Sequence, residues 1–96
     1  MSSSAETAKV RHNAAAGRYE VEIDGRMAVC DYVLEGGRMV FTHTFVPPEL
    51  RGRGLAEKLV RAALDDAVAA KRSIVPACSY VAAFVQRHAE YQSLVA

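Results

Sequence analysis

Charge of one sign is what this sequence has least of. Twelve basic residues face eleven acidic ones, for a net charge of +1, and no basic run exceeds two residues. Proteins that are drawn to nucleic acid or to an anionic membrane surface carry clustered lysine and arginine, so neither partner is expected. Long apolar runs are missing too; nothing approaches the roughly 20 residues that a membrane-crossing helix needs. Cysteine is scarce. Cys30 and Cys78 stand far apart with no second pair near either, which excludes a zinc knuckle, and no metal is expected. Two such cysteines leave a disulfide open, but a reducing, cytoplasmic compartment is the expectation. The start, MSSSAETAKV, has no basic stretch followed by an apolar one, so no secretory leader is expected. Residues 1–8 are small and polar and are expected to be loose.

What is present is enough for a core. Of 96 residues, 51% are hydrophobic, and residues 9–96 read as a single domain without repeat or linker. KVRHN reads as a short strand. In RYEVEID, Tyr19, Val21 and Ile23 alternate with Glu20, Glu22 and Asp24, a strand with one wet face. Asp24-Gly25 is a two-residue hairpin turn. RMAVCDYVLE is the next strand, Gly36-Gly37 turns the chain again, and RMVFTHTFV closes a meander rich in β-branched and aromatic residues. Along this last strand Phe41, His43 and Phe45 are expected on one face, with Val40, Thr42 and Thr44 on the other.

After Pro47 the period changes. Ala56, Leu59, Val60, Ala63, Leu64 and Ala67 form a helical stripe, and Glu57, Arg61 and Asp65 follow one another at four-residue spacing on a wet face. The helix is expected from about Gly54 to Lys71. SIVPAC then reads as a short strand ended by Pro76, and Ser79 as the cap of a last helix carrying Val81, Phe84, Val85 and His88 on one stripe. The fold class is α/β: an antiparallel meander plus a parallel crossover pair in one mixed sheet of four to five strands, with two main helices.

The stretch VPPELRGRGLAEKL carries the chemistry. Gly52 and Gly54 bracket Arg53, with Arg51 just upstream, at the mouth of a helix. A helix start leaves its first amides unpaired, and with the macrodipole they attract anions. Glycine lets an anion approach the backbone, and arginine adds bidentate contacts. A tight loop with solubilising arginines would look the same, and from these residues alone the two readings weigh about equally. The turn is neither a nucleotide P-loop, which needs Gly-Lys-Ser/Thr, nor a dinucleotide fingerprint, which needs other glycine spacing.

RGRGLA also resembles the Arg/Gln-x-x-Gly-x-Gly/Ala signature of the GNAT superfamily of acetyl-CoA-dependent N-acetyltransferases, through Arg51, Gly54 and Ala56. With PACSYV and the closing EYQSL, the chain after residue 9 is similar to the small, single-domain members often called YjdJ-like. The resemblance implies acetyl-CoA as co-substrate and an amine acceptor, on a small molecule or on a protein. The pyrophosphate would rest on the amides of Arg51, Gly52, Arg53, Gly54, Leu55 and Ala56. The pantetheine arm would lie in a gap between THTFV and IVPAC, pairing with the backbone of Phe45 and Val46. The thioester would point toward Cys78 and His43. The tyrosine acid usual in the family, about seven residues after the strand, is missing here, because that count reaches Phe84 and Val85.

Cys78 takes its place as a candidate, since a thiol at a helix start is easily ionised; a buried small hydrophobe is the plainer reading. His43 has imidazole's useful titration range, against the plainer fate of a rim histidine between aromatics. Tyr80 can donate to an oxygen or a thiolate. Cys30 belongs to the core. Lys58 is within reach of the coenzyme's 3′-phosphate or simply solvated, and the acidic row of Glu20, Glu22 and Asp24 either attracts a cationic substrate or is ordinary sheet surface. The helices that larger members insert between their first strands have no room in this meander, which implies an open acceptor side.

Overall fold

The computed structural model describes residues 9–96; the expectation for residues 1–8 lies outside them. Five strands form one sheet in sequence order: β1 (Arg11–Asn13), β2 (Arg18–Ile23), β3 (Arg26–Glu35), β4 (Arg38–Phe45) and β5 (Ile74–Pro76). The first four pair antiparallel and β5 joins β4 in parallel, with Met39 opposite Ile74 and Phe41 opposite Pro76. The mixed sheet with two helices is thus the architecture found. Both hairpin turns place two successive residues at positive φ, Asp24 and Gly25, then Gly36 and Gly37, the geometry that matches strand twist.

Helix α1 (Leu55–Ala69) crosses from β4 to β5, and α2 (Ser79–Arg87) follows. The apolar stripe of α1 lies in the core as Leu55, Leu59, Val60, Ala63, Leu64 and Ala67, against Tyr19, Val21, Ile23 and Phe41 of the sheet; Leu55 takes the place expected for Ala56, which is only half-buried. The helix stops two residues before the expected Lys71. Lys71 takes a left-handed φ of 54°, and the Arg72 amide returns to the Ala67 carbonyl at 2.9 Å, the bond that closes a Schellman turn. Of the wet-face triplet, Arg61 pairs with Glu57 at 3.4 Å. Asp65 instead accepts the Tyr91 hydroxyl at 2.6 Å, tying the C-terminal turn (Ala89–Leu94) to α1. Ser79 does not cap α2: Cys78 is the N-cap and Ser79 the first helical residue.

Both helices lie on one face of the sheet, and among the described residues no helix covers the other. That outer face carries a valine row across three strands, Val33, Val40 and Val75, with Val29 opposite Phe45 beside it. It is not uniformly wet. Glu20, expected on the solvated side, is only 2% exposed, because Arg11, Asn13 and Arg18 close over it and donate to both its oxygens. No helix among the described residues is long and apolar enough to cross a membrane.

Candidate functional site

The site is built where β4 and β5 part. Their pairing ends at Phe41 and Pro76, and the Cys78 amide closes the fork by donating to the Phe41 carbonyl at 2.8 Å. From Thr42 to Phe45, β4 pairs with β3 on one side, and among the described residues no strand pairs with its other edge. A bulge sets what this free segment presents. Asp31 faces His43 while Tyr32 faces Phe41, so Thr42 is an extra residue on β4. One inserted residue reverses the faces of everything beyond it. The expected grouping of His43 and Phe45 with Phe41 is therefore corrected. Phe41 points into the core, His43 and Phe45 point outward with their rings near parallel at 6.3 Å, and Thr44 turns inward.

Thr44 is the residue that sequence reasoning missed. Its hydroxyl lies 3.5 Å from the Cys78 sulfur and 3.8 Å from that of Cys30. Both cysteines are free thiols. Their surroundings separate them. Burial pushes the Cys30 thiol up to about 12. Burial pushes Cys78 up as well, but less than the Thr44 hydroxyl and the nearby amides of Val81, Tyr80 and Thr44 pull it down, leaving it below its ordinary value. Cys78 is half-buried at the fork. No hydrogen bond joins it to His43, which lies on the outer face. Phe84 and Val85, the residues that the count from the strand reaches, lie in the core.

On the other side of the fork a 3₁₀ turn (Pro48–Leu50) leads to the glycine-arginine loop. Gly52 and Gly54 have φ of 83° and 74°, which a side chain tolerates poorly. A Cβ built on either would meet no protein atom within 4 Å and would project into open space. Gly54 is the N-cap of α1 and supplies no side-chain cap, so among the described residues no side chain there quenches the first amides. Beside the loop is a pocket of about 260 Å³ lined by Val46, Leu55, Ala56 and Tyr80, among others. Burial, then the charge of Glu57, pushes the Tyr80 phenol up, which keeps it a proton donor. One expected contact is altered: Arg51 Nε donates to the Val46 carbonyl at 3.0 Å, so that carbonyl is already engaged within the protein. The loop thus fits a diphosphate, with bare amides, no blocking Cβ and two exposed guanidinium groups.

These features define a small two-layer α/β domain in which a forked parallel strand pair opens beside an uncapped, glycine-lined helix start. Comparison with known proteins agrees with that class. The sequence pattern of the family described as GCN5-related N-acetyl-transferase matches residues 18–94. The chain is 35% identical to Protein NATD1 of Bos taurus, with 83% of this chain and 74% of that protein aligned. It is 34% identical to Protein NATD1 of Mus musculus and of Homo sapiens, with 76% and 74% of those proteins aligned. The chain belongs to the GCN5-related N-acetyltransferase (GNAT) family.

Proposed function

We propose that this chain transfers the acetyl group of acetyl-CoA to an amine, as one of the small YjdJ-like members of its family. The observation that carries the proposal is the pairing of an uncapped α1 start with a thiol, Cys78, that the Thr44 hydroxyl holds below its ordinary pKa at the same strand fork. The amides from Gly52 to Ala56 and the guanidinium groups of Arg51 and Arg53 hold the pyrophosphate. The free edge of β4, through Phe45 and the amide of Val46, pairs with the pantetheine arm. When bound, the coenzyme supplies an acyl carbon activated as a thioester. Cys78 offers its thiolate to that carbon and then yields the acetyl group to the amine, leaving again as thiolate. Tyr80 donates a proton to the departing coenzyme sulfur. His43, on the outer face, takes the proton that the amine sheds.

The uncovered outer face admits a protein side chain or terminus more readily than it encloses a metabolite. Free thiols at Cys30 and Cys78 suit a reducing, cytoplasmic compartment. A second reading, a CoA-binding module with little turnover, draws on Phe84 and Val85 standing in the core where the family's usual acid would be. A third, an interaction domain whose loop grips a phosphate or carboxylate of a partner, draws on the loop alone.

Thermal unfolding with CoA, acetyl-CoA and ADP tests the coenzyme site. A ligand at a hundred times its dissociation constant adds about 2.7 kcal/mol of stability. A rise with CoA and acetyl-CoA is expected, and no rise with any of the three leaves only the interaction domain. Release of free CoA thiol with a panel of amines separates enzyme from module. Release that is unchanged in Cys78→Ala would remove the cysteine from the mechanism.

A further inference from the structure

A second cavity lies at the opposite end of α1. Its volume is about 530 Å³, twice that of the pocket beside the glycine loop and within the usual range for small-molecule sites. The 15 residues of α1 put the two roughly 22 Å apart at 1.5 Å per residue. One wall is aromatic. The His12 ring stacks on Tyr19 with centroids 4.2 Å apart and planes 2° apart, and Tyr32 lies tilted against both. Leu34 and Met39 supply apolar surface.

The polar groups are few and they converge. Arg72 lines the cavity, is half-buried, and forms no ion pair among the described residues. Tyr32 Oη lies 2.5 Å from His12 Nε2. The Arg72 charge is close enough to pull the Tyr32 phenol down, against the larger effect of burial, which raises it. Two features favour the opposite charge: Asp66 also lines the cavity, and a helix C-terminus is partly negative. Both already have hydrogen-bond partners, although Asp66 keeps its negative charge. Asp66 Oδ2 accepts the Tyr19 hydroxyl at 2.6 Å, and the amides of Ala70, Lys71 and Arg72 take the carbonyls of Asp66, Val68 and Ala67. Neither charge has an ion-pair partner, but one Asp66 oxygen is taken by Tyr19, whereas none of the Arg72 guanidinium donors makes a hydrogen bond among the described residues.

We propose that this cavity binds a planar aromatic molecule bearing one carboxylate, its ring against the His12–Tyr19 wall and its carboxylate on the Arg72 guanidinium. None of these residues belongs to the glycine loop or the strand fork, so the proposal stands apart from acetyl transfer.

Three probes of one shape and different charge test it: indole-3-acetate, indole-3-acetamide and tryptamine, titrated into the full chain by calorimetry and by NMR. Indole-3-acetate should bind at least about tenfold more tightly than the other two, shifting the ring resonances of His12, Tyr19 and Tyr32. Arg72→Gln should erase the preference, while Arg72→Lys, which keeps the charge, should retain part of it and controls for folding. Saturating CoA should leave the titration unchanged. Equal binding of the three probes, tighter binding of tryptamine, a preference that survives Arg72→Gln, displacement by CoA, or no binding at all would each overturn the proposal.

Discussion

The two helix starts that flank the strand fork obey the same physics and serve different ends. Each has amides without intrahelical partners and the positive end of a dipole. At α1 the N-cap is Gly54, which brings no acceptor of its own, and arginines stand on either side of Gly52. That start is left open to an anion from outside. At α2 the N-cap is Cys78, whose sulfur is itself a latent anion. There burial pushes the thiol up, but the Thr44 hydroxyl and then the amides of Val81, Tyr80 and Thr44 outweigh it and leave its pKa lowered. On the proposed reading, one residue at the cap decides whether a helix start receives an anion or supports a nucleophile.

The sharpest way to break this contrast is to remove the thiol. Cys78→Ala should lower the rate of acetyl transfer about a hundredfold or more while leaving the affinity for CoA within twofold (~0.4 kcal/mol); single-turnover kinetics beside calorimetry would separate the two. Loss of affinity with transfer intact would reverse the roles assigned to the two helix starts.

Changes at α1 should do the converse. Arg51→Ala removes a charge-assisted contact of about 1.5–3 kcal/mol, so the dissociation constant for CoA should rise at least about tenfold. Gly54→Ala places a Cβ at φ 74°, which should cost about 1–2 kcal/mol of stability, read from denaturant midpoints, and weaken CoA binding further.

A smaller effect sharpens the α2 side. Transfer that depends on the Cys78 thiolate rises with pH through the lowered thiol pKa. Thr44→Val removes the hydroxyl that helps to lower it, so the rising limb of the pH–rate profile should move to higher pH. The rate at neutral pH should fall, and the plateau at high pH should be largely retained. A limb that stays in place would show that the amides of α2 act without Thr44.

The smallest effect belongs to the outer face, as a control. Arg11, Arg18 and Asn13 lower the Glu20 carboxyl from 4.5 to about 2. A depressed folded value means that its contribution to stability is present above pH 4.5 and is lost as pH falls toward 2. Glu20→Gln should flatten that acid limb of unfolding and leave transfer at neutral pH unchanged.

How much of this was legible in the sequence follows from the range of the forces involved. The hairpin turns, the α1 stripe and the glycine-arginine loop are local patterns of two to fifteen residues, and each appears where its residues demand it. The bulge at Thr42 is a matter of register between two strands. No alternation along RMVFTHTFV announces it, so the period-two reading groups His43 with Phe41 and sets Thr44 on the other face. The burial of Glu20 depends on arginines brought from a neighbouring strand and from its own, which period two cannot foresee. Ser79 looked like the cap because serine usually is one, yet the end of β5 at Pro76 places Cys78 at that turn. In the candidate site the glycine-arginine loop at the start of α1 was readable from spacing, whereas the company kept by Cys78 was not.

The most direct measurement of the central claim is a ¹⁵N-NMR titration of the chain with CoA, following every backbone amide. The account predicts that the largest shifts fall on Gly52, Arg53, Gly54, Leu55 and Ala56, with smaller ones on Phe45 and Val46. Silence at those amides while CoA binds, with shifts elsewhere on the sheet, would contradict it.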